Sequence, residues 1–395
     1  MAQEGTQGIP IDVGEPWGLP LNVRILPEYL RELGYETHIV GKWHLGYYMK
    51  SLTPTYRGFD SFYGFYNGEE DYYSHNVTYV EGQWKVFHNV IYGKGTGDYT
   101  EQAEGMVDTV DQSVGQVFET LEEAGMLDNV IVLFSSDNGG TPFGDHSSRS
   151  FNWPLRGLKL SVWEGSTRVP AFVWSPLLKE RRGVSHQLMH LTDWFTTFYR
   201  VAGGNVSNLE YVDGHDMWDY LSNGTGSPRT ELVYNIDTLY PEESSVAAIR
   251  NSRYKLVLDA TGAGNARFRT TGGRRPFNDL DKLLARSKAA ESLRKFYNTD
   301  RLTFPNDWRQ RATLTCGAET TENFCPDDKV FLFDIVKDPC ELNNLAEEHP
   351  EIVSTLKKRL DYYRSVAIPP RNKAIDPASF PENHNGTWAP WVESS

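Results

Sequence analysis

Gly41-Lys42-Trp43-His44-Leu45-Gly46 and Ser135-Ser136-Asp137-Asn138-Gly139-Gly140 are the two stretches whose reading decides the fold. Before the first, Pro27 to Leu33 reads as a short helix with proline in its first turn, Gly34 as its stop, and Tyr35 to Val40 as a strand. Before the second, a helix begins near Thr100, with Met106, Val107, Val110, Val114, Val117, Phe118 and Leu121 on one face, and ends at Gly125. Val130-Ile131-Val132-Leu133-Phe134 follows, an apolar run suited to a parallel strand covered on both sides. Two such units predict that both polar ends reach the same carboxyl-terminal edge of one sheet, where Lys42, His44, Asp137 and Asn138 would converge. That set suits a cation beside an anionic ester.

A third unit follows Gly165, with a strand over Val169 to Trp174 and a helix from Leu191 to Ala202 that ends at Gly203. The alternation indicates an α/β sheet. After the loop Ser222 to Pro228 the pattern changes to short strands without intervening helices: Leu232 to Ile236, Val246 to Ile249, Tyr254 to Leu258 and Val330 to Ile335. An amphipathic helix from about Pro350 to Val366 completes a smaller antiparallel unit. The chain therefore divides at 1–228 and 229–395, with a surface insertion over about 261–311 that is poor in aliphatic residues and rich in Arg, Gly and Asn.

The 53 acidic and 39 basic residues leave a formal charge of −14, which argues against nucleic acid as a partner and requires a local cluster of cations for any anionic ligand. No stretch approaches the ~18 consecutive apolar residues of a membrane span, and the first residues lack the pattern of a signal peptide. A soluble cytosolic chain would follow, yet Asn76, Asn205, Asn223 and Asn385 each head a glycosylation sequon in turn-like surroundings. Of the three cysteines, Cys316, Cys325 and Cys340, one pair can bridge, and Cys325 with Cys340 is the preferred pair.

Several motifs in order carry a family resemblance: Gly34 to Gly46, Arg57-Gly58-Phe59-Asp60, Glu70-Asp71-Tyr72-Tyr73-Ser74-His75, Ser136 to Gly140, and Asn152-Trp153-Pro154-Leu155-Arg156-Gly157-Leu158-Lys159 through Trp163-Glu164-Gly165. They resemble the arylsulfatases, most closely the N-acetylgalactosamine-4-sulfatase (arylsulfatase B) branch, as do Leu332-Phe333-Asp334, Asp338-Pro339 and Trp388-Ala389-Pro390-Trp391 farther on. The resemblance implies an alkaline-phosphatase-like α/β sandwich: a mixed, mostly parallel sheet between helices, plus a smaller C-terminal antiparallel sheet and helix. It implies hydrolysis of sulfate esters, of sulfated carbohydrates or aryl sulfates, in a lysosomal or secreted protein. The cofactors it implies are a calcium ion and a formylglycine made from cysteine. By the same resemblance Asp137 and Asn138 are calcium ligands, being hard oxygen donors, and Lys42 and Lys159 hold the sulfate. His44 is the catalytic base beside Lys42.

Taken singly, these residues have plainer readings: Asp-Asn-Gly-Gly as a turn, the lysines as surface groups, and His44 as a structural histidine. His186 and His190 have the i, i+4 spacing of a zinc helix without its glutamate, and Gly93 to Gly97 lacks the spacing of a phosphate loop. Arg267, Arg269, Arg274, Arg275, Arg286, Lys288, Arg294 and Lys295 could grip a sulfated glycan, but a solvated insertion explains them as well.

The chain departs from the family pattern in two places. The Cys-x-Pro-x-Arg nucleophile motif and the paired aspartates before it are not found, so the expectation is a family member truncated at its N-terminus. Between Val90 and Thr100 the strand ending in the leaving-group histidine is also missing, with only His146 nearby to replace it. Without an attacking group these residues alone should have negligible activity, because inert esters need up to ~23 kcal/mol of barrier removed. A non-catalytic relative that binds sulfated glycans is the alternative.

Overall fold

A computed structural model describes residues 11–68, 99–142, 150–179, 183–210, 212–236, 246–260, 265–267, 280–303, 307–316 and 323–393. Asn76, Gly93 to Gly97 and His146 lie outside them. The first part carries α1 (Leu26–Glu32), β1 (His38–Lys42), β2 (Ser61–Phe65), α2 (Tyr99–Glu123), β3 (Val132–Ser135), α3 (Glu164–Thr167), β4 (Ala171–Trp174), α4 (Asp193–Val201) and α5 (Trp218–Asn223). The second carries β5 (Glu231–Ile236), β6 (Ala247–Asn251), β7 (Tyr254–Leu258), α6 (Leu280–Arg286), α7 (Lys288–Tyr297), α8 (Trp308–Ala312), β8 (Val330–Asp334) and α9 (Pro350–Val366). The α/β class is as expected, and the helix stops at Gly34, Gly125 and Gly203 all have positive φ.

The strands behind the two polar loops fall into two separate pairs among the described residues. Among the described residues β1 pairs with β2 in parallel, and β3 pairs with β4 antiparallel as a separate two-stranded sheet. Nor is β3 sealed on both faces, since all four of its residues are only half-buried and Phe172 opposite Phe134 is exposed. Val40 in β1 is 79% exposed. On α2, Phe118 meets Trp174 with ring centroids 5.1 Å apart, while Val110 and Val117 face solvent.

The C-terminal sheet is antiparallel in the order β5-β6-β7-β8, and it is the best-packed part of the molecule. Period-two alternation gives it two buried faces. Ile249, Leu256, Leu258 and Leu332 pack with Leu356 and Leu360 of α9. Ala248, Val257, Phe331 and Phe333 pack instead on Val162 and Trp163, residues of the first part. The helix is also pinned by Glu231, which takes an ion pair from Arg359 and a 2.8 Å hydrogen bond from the Tyr363 hydroxyl.

The insertion holds helices, so the strands of this sheet do have helices between them in sequence. α7 lies against α2: Lys288 pairs with Glu119 at 2.9 Å and Lys295 with Glu122 at 3.5 Å. Phe296 meets Trp174 at 6.1 Å between centroids. The disulfide is also corrected, because Cys316 bridges Cys340 with their Cα atoms 5.7 Å apart. Cys340 is buried among Leu155, Leu342 and Leu314, whereas Cys325 is exposed in a turn closed by Asp328 N–H on its carbonyl. His186 and His190 lie outside any helix, so their spacing does not put them on a common face.

One buried charge cluster joins the two parts. Lys255 of β7, fully buried, places Nζ 3.0 Å from Glu164 Oε1 and 2.7 Å from Glu341 Oε1. The Tyr234 hydroxyl donates to Glu164 Oε1 at 3.0 Å, and Arg168 lies 3.7 Å from Oε2. Glu341 is served less well: Oε2 accepts the Glu164 N–H at 2.9 Å, and Oε1 has only the Lys255 ammonium beside it. Burial raises the Glu341 carboxyl to about 7 despite the pull of Lys255. Burial pushes Glu164 the same way, but Lys255, Arg250 and Arg168 overcome it and hold that carboxyl below its usual value.

These opposite shifts have opposite linkage. Glu341, raised in the fold, contributes stability that is complete below its unfolded value of 4.5 and is lost as pH rises through about 7. Glu164, lowered in the fold, contributes above 4.5 and loses its share as pH falls through its folded value. Replacing Glu341 by Gln keeps the shape of the neutral acid. Between pH 4.5 and 8 the stability difference should therefore move in the variant's favour by up to about 3 kcal/mol, read from denaturant midpoints. The lowered His44 and His190 act in the other sense, being stabilising above their unfolded value and less so as pH falls, but both proteins carry them. Under the same conditions Cys316→Ser should cost about 2–4 kcal/mol. Cys325→Ser should stay within about 0.5 kcal/mol.

Candidate active site

The rim is built from two loops. The first leaves β1 and continues the parallel pairing, with Trp43 N–H donating to Phe65 O at 2.9 Å and His44 N–H to Tyr66 O at 3.0 Å. His44 then takes φ 55°, a left-handed conformation that a non-glycine residue holds only where its surroundings enforce it. Here the buried Trp43 indole does so by donating to Gly46 O and Leu52 O at 3.0 and 3.1 Å. Gly46 must be glycine, since a Cβ would lie 2.4 Å from Gly18 Cα.

His44 is held on both sides. Its Nε2 lies 2.8 Å from Ile11 O, so Nε2 carries the proton and donates, and a neutral ring presents Nδ1 as the acceptor. Gly68 packs on the ring so closely that a Cβ there would stand 2.6 Å from Cε1. Burial first, and then the positive charge of Lys42, lowers the imidazole's pKa; Lys159 pushes the same way and Asp12 opposes. Lys42, His44 and Lys159 thus share one electrostatic neighbourhood. Both lysines are exposed, so among the described residues the rim is open.

The second loop leaves β3. Asp137 is exposed and accepts the Asn138 N–H on Oδ1 at 2.9 Å, while Asn138 gives its amide nitrogen to Gly139 O at 2.8 Å. Gly139 N–H donates to Ser166 O at 2.8 Å, and a Cβ on Gly139 would fall 1.8 Å from Gly165 O. Asn152 ties this loop to the next stretch: its Oδ1 accepts from Gly140 N–H at 2.7 Å, and its Nδ2 donates to Gly140 O and Gly157 O at 3.0 Å each. Lys159 N–H also donates to Gly140 O, at 3.1 Å. Lys159 is thus tied to the Asp137-Asn138 loop at Gly140 and adds a small electrostatic push on His44.

Asn152 and the Lys255 cluster escaped the sequence reading. Asn152 stands in a quoted motif, but only its three loop contacts reveal it as a clamp. A lysine in the run Tyr254 to Leu258 gives no local sign of full burial. Of the sequons, Asn205 and Asn385 are exposed and Asn223 is half-buried at the end of α5.

Asp137 and Asn138 are hard oxygen donors apt for a calcium ion, which takes about 6–8 such ligands. Two do not complete a shell, and among the described residues no group of three or more His, Cys, Asp or Glu side chains could hold a metal. Formylglycine fits no better, since Cys316 and Cys340 are bonded to each other and Cys325 is exposed in its own turn. The residues present supply cations, a hydrogen-bonding histidine and two oxygen donors.

The sulfatase family model matches residues 2–103 and 91–204. Arylsulfatase J of Mus musculus is 32% identical over 98% of this chain and 70% of its own length. N-acetylgalactosamine-6-sulfatase of Homo sapiens is 27% identical over 56% of this chain and 53% of its own length, so the chain spans only about half of that relative. Among solved structures Ps i-CgsB superposes with a TM-score of 0.60 at 18% identity, covering 94% of this chain and 80% of that one. PsFucS1 sulfatase from Pseudoalteromonas sp. gives 0.50 at 19% identity over 89% and 74%. These likenesses establish the alkaline-phosphatase-like fold of sulfatases, and with the sequence matches they establish that this chain belongs to the sulfatase family.

Proposed function

We propose that the rim is a sulfate-ester site for sulfated glycans of the glycosaminoglycan kind, in which Lys42 and Lys159 hold the sulfate oxygens. The observation that supports this reading is that Lys42 and Lys159 both act electrostatically on His44, with Lys159 N–H held on Gly140 O, in a chain of net charge −14. An anionic ligand is drawn to such a local positive field and repelled elsewhere. His44, kept neutral with Nδ1 as the acceptor, is placed to take a proton from a hydroxyl on or near the ester. Asp137 and Asn138 are the first two oxygen donors for calcium, and the rest of a shell would have to come from outside the described residues. In a sulfatase calcium and formylglycine would supply polarisation and the nucleophile.

The glycan class is supported by the motifs resembling the N-acetylgalactosamine-4-sulfatase branch and by relatives named N-acetylgalactosamine-6-sulfatase. Ps i-CgsB has also been solved in complex with k-i-k-neocarrahexaose. The sequons at Asn205 and Asn385 are exposed, in keeping with a lysosomal or secreted glycoprotein. Among the described residues no helix is long and apolar enough to cross a membrane.

Binding should therefore outlast catalysis. Dermatan sulfate should bind with a steep salt dependence, and Lys42→Ala or Lys159→Ala should each weaken it by about tenfold, the scale of one charge-assisted contact. Absence of any salt-sensitive binding to the wild-type chain overturns the reading. Hydrolysis of an aryl sulfate by the 395 residues alone should stay at background, and turnover abolished by His44→Ala would show that a nucleophile is present after all.

A further inference from the structure

Among the described basic residues of the insertion, Arg267 is placed differently from Lys288, Arg294 and Lys295. Lys288 and Lys295 are committed to Glu119 and Glu122 on α2, and Arg294 donates to Leu284 O. Arg267 is carried instead to the loop that forms the rim. Residues 265–267 are stitched there along their length: Gly157 N–H donates to Ala266 O at 2.9 Å, Arg156 Nη1 to Asn265 O at 2.6 Å, and the Trp163 indole to Asn265 Oδ1 at 3.0 Å. Arg267 Nε donates to Pro154 O at 3.2 Å, and its guanidinium lies 4.6 Å from the ring centroid of Trp153.

Trp153 is 37% exposed, so part of its indole faces solvent. It directly follows Asn152, the clamp on the Gly140 loop, and stands six residues before Lys159. An exposed indole offers apolar area to the C–H face of a pyranose. A guanidinium stacked on that indole has a fixed plane, suited to two-point recognition of a sulfate or carboxylate.

We propose that Trp153 and Arg267 form a second sugar subsite on this rim, which takes the anionic ring, sulfated or uronic, next to the ring whose ester meets Lys42 and Lys159. The subsite rests on the sulfated-glycan reading above. It gives the insertion a role, since residues 265–267 convert a rim for one ester into a surface for a chain of sugars. The ligand class follows from the pairing: a neutral sugar would use the indole alone, and a small inorganic anion would use the guanidinium alone.

The test measures two ligands by calorimetry on the full chain: 4-sulfated N-acetylgalactosamine as a single ring, and a dermatan sulfate tetrasaccharide. Trp153→Ala and Arg267→Gln should each weaken the tetrasaccharide about tenfold, the scale expected for a stacking or forked contact, and leave the single ring within about twofold. Trp153→Phe and Arg267→Lys serve as folding-safe partners: the first should retain part of the affinity but lose fluorescence quenching by the tetrasaccharide, and the second should lose most of it despite keeping the charge. Tetrasaccharide affinity unchanged in all four folded variants overturns the subsite and leaves the site reading standing. If the wild type binds neither ligand, the site reading fails and the subsite with it.

Discussion

Lys255 is the constraint on which the rest of the structure depends. Its ammonium is fully buried between two carboxyl groups, Glu164 at the start of α3 and Glu341 in the segment between β8 and α9. An unpaired charge in that position would cost several kcal/mol, so the three segments that supply the lysine and its partners must stay together or the lysine must find water. The surrounding apolar layer of Trp163, Val257, Phe331 and Phe333 closes the cluster. Arg156 adds a second tie, with Nε on Glu341 O at 3.1 Å and its guanidinium 3.4 Å from the Phe324 ring centroid.

From this anchor the order passes outward to the rim through backbone contacts. Gly165 N–H donates to Arg156 O at 2.6 Å, and Gly139 fits against Gly165 where no side chain could. Asn152 then fixes Gly140 to Gly157, and Lys159 follows. The two loops of the rim are therefore held differently. The Asp137 loop hangs from the C-terminal sheet, whereas His44 hangs from the N-terminal segment through Ile11, Gly18 and Trp43. The C-terminal tail in turn braces that segment, with Trp391 N–H on Tyr48 O at 3.1 Å and Asp376 N–H on Gly14 O at 3.0 Å.

What the sequence disclosed was local. The glycine stops, the long helix before Gly125 and the four short strands after residue 230 depend on periodicity and turn chemistry within a few residues, and they lie close to where they were expected. The polar tips were legible because several motifs occur in order. Sheet partnership was not, because an apolar run such as Val130 to Phe134 states that it needs cover and not which strand provides it. The cysteine pairing failed for a similar reason. Cys325 with Cys340 was the preferred pair, but Cys340 lies buried beside Leu155 and Leu342 and bridges Cys316. The insertion looked solvated because its charges lack aliphatic neighbours in sequence; those neighbours, Trp174 and the α2 carboxylates, come from more than a hundred residues away.

The division of labour between anchor and rim bears on what these residues can do. Recognition of a sulfate needs cations at fixed places, and Lys42 and Lys159 are exposed on loops held by buried contacts. Bond breaking needs in addition an attacking atom and a polarising ion, each within hydrogen-bonding or coordination reach of the same sulfur. The cysteines here are engaged or remote, and Asp137 and Asn138 are two donors where calcium takes about 6–8. The tight glycine contacts and the Lys255 cluster preserve the geometry of the rim all the same. The two loops of the rim are thus fixed independently, because Gly139, Gly140 and Asn152 tie one to the segment around Gly157 and Gly165, and Ile11 and Gly18 hold the other.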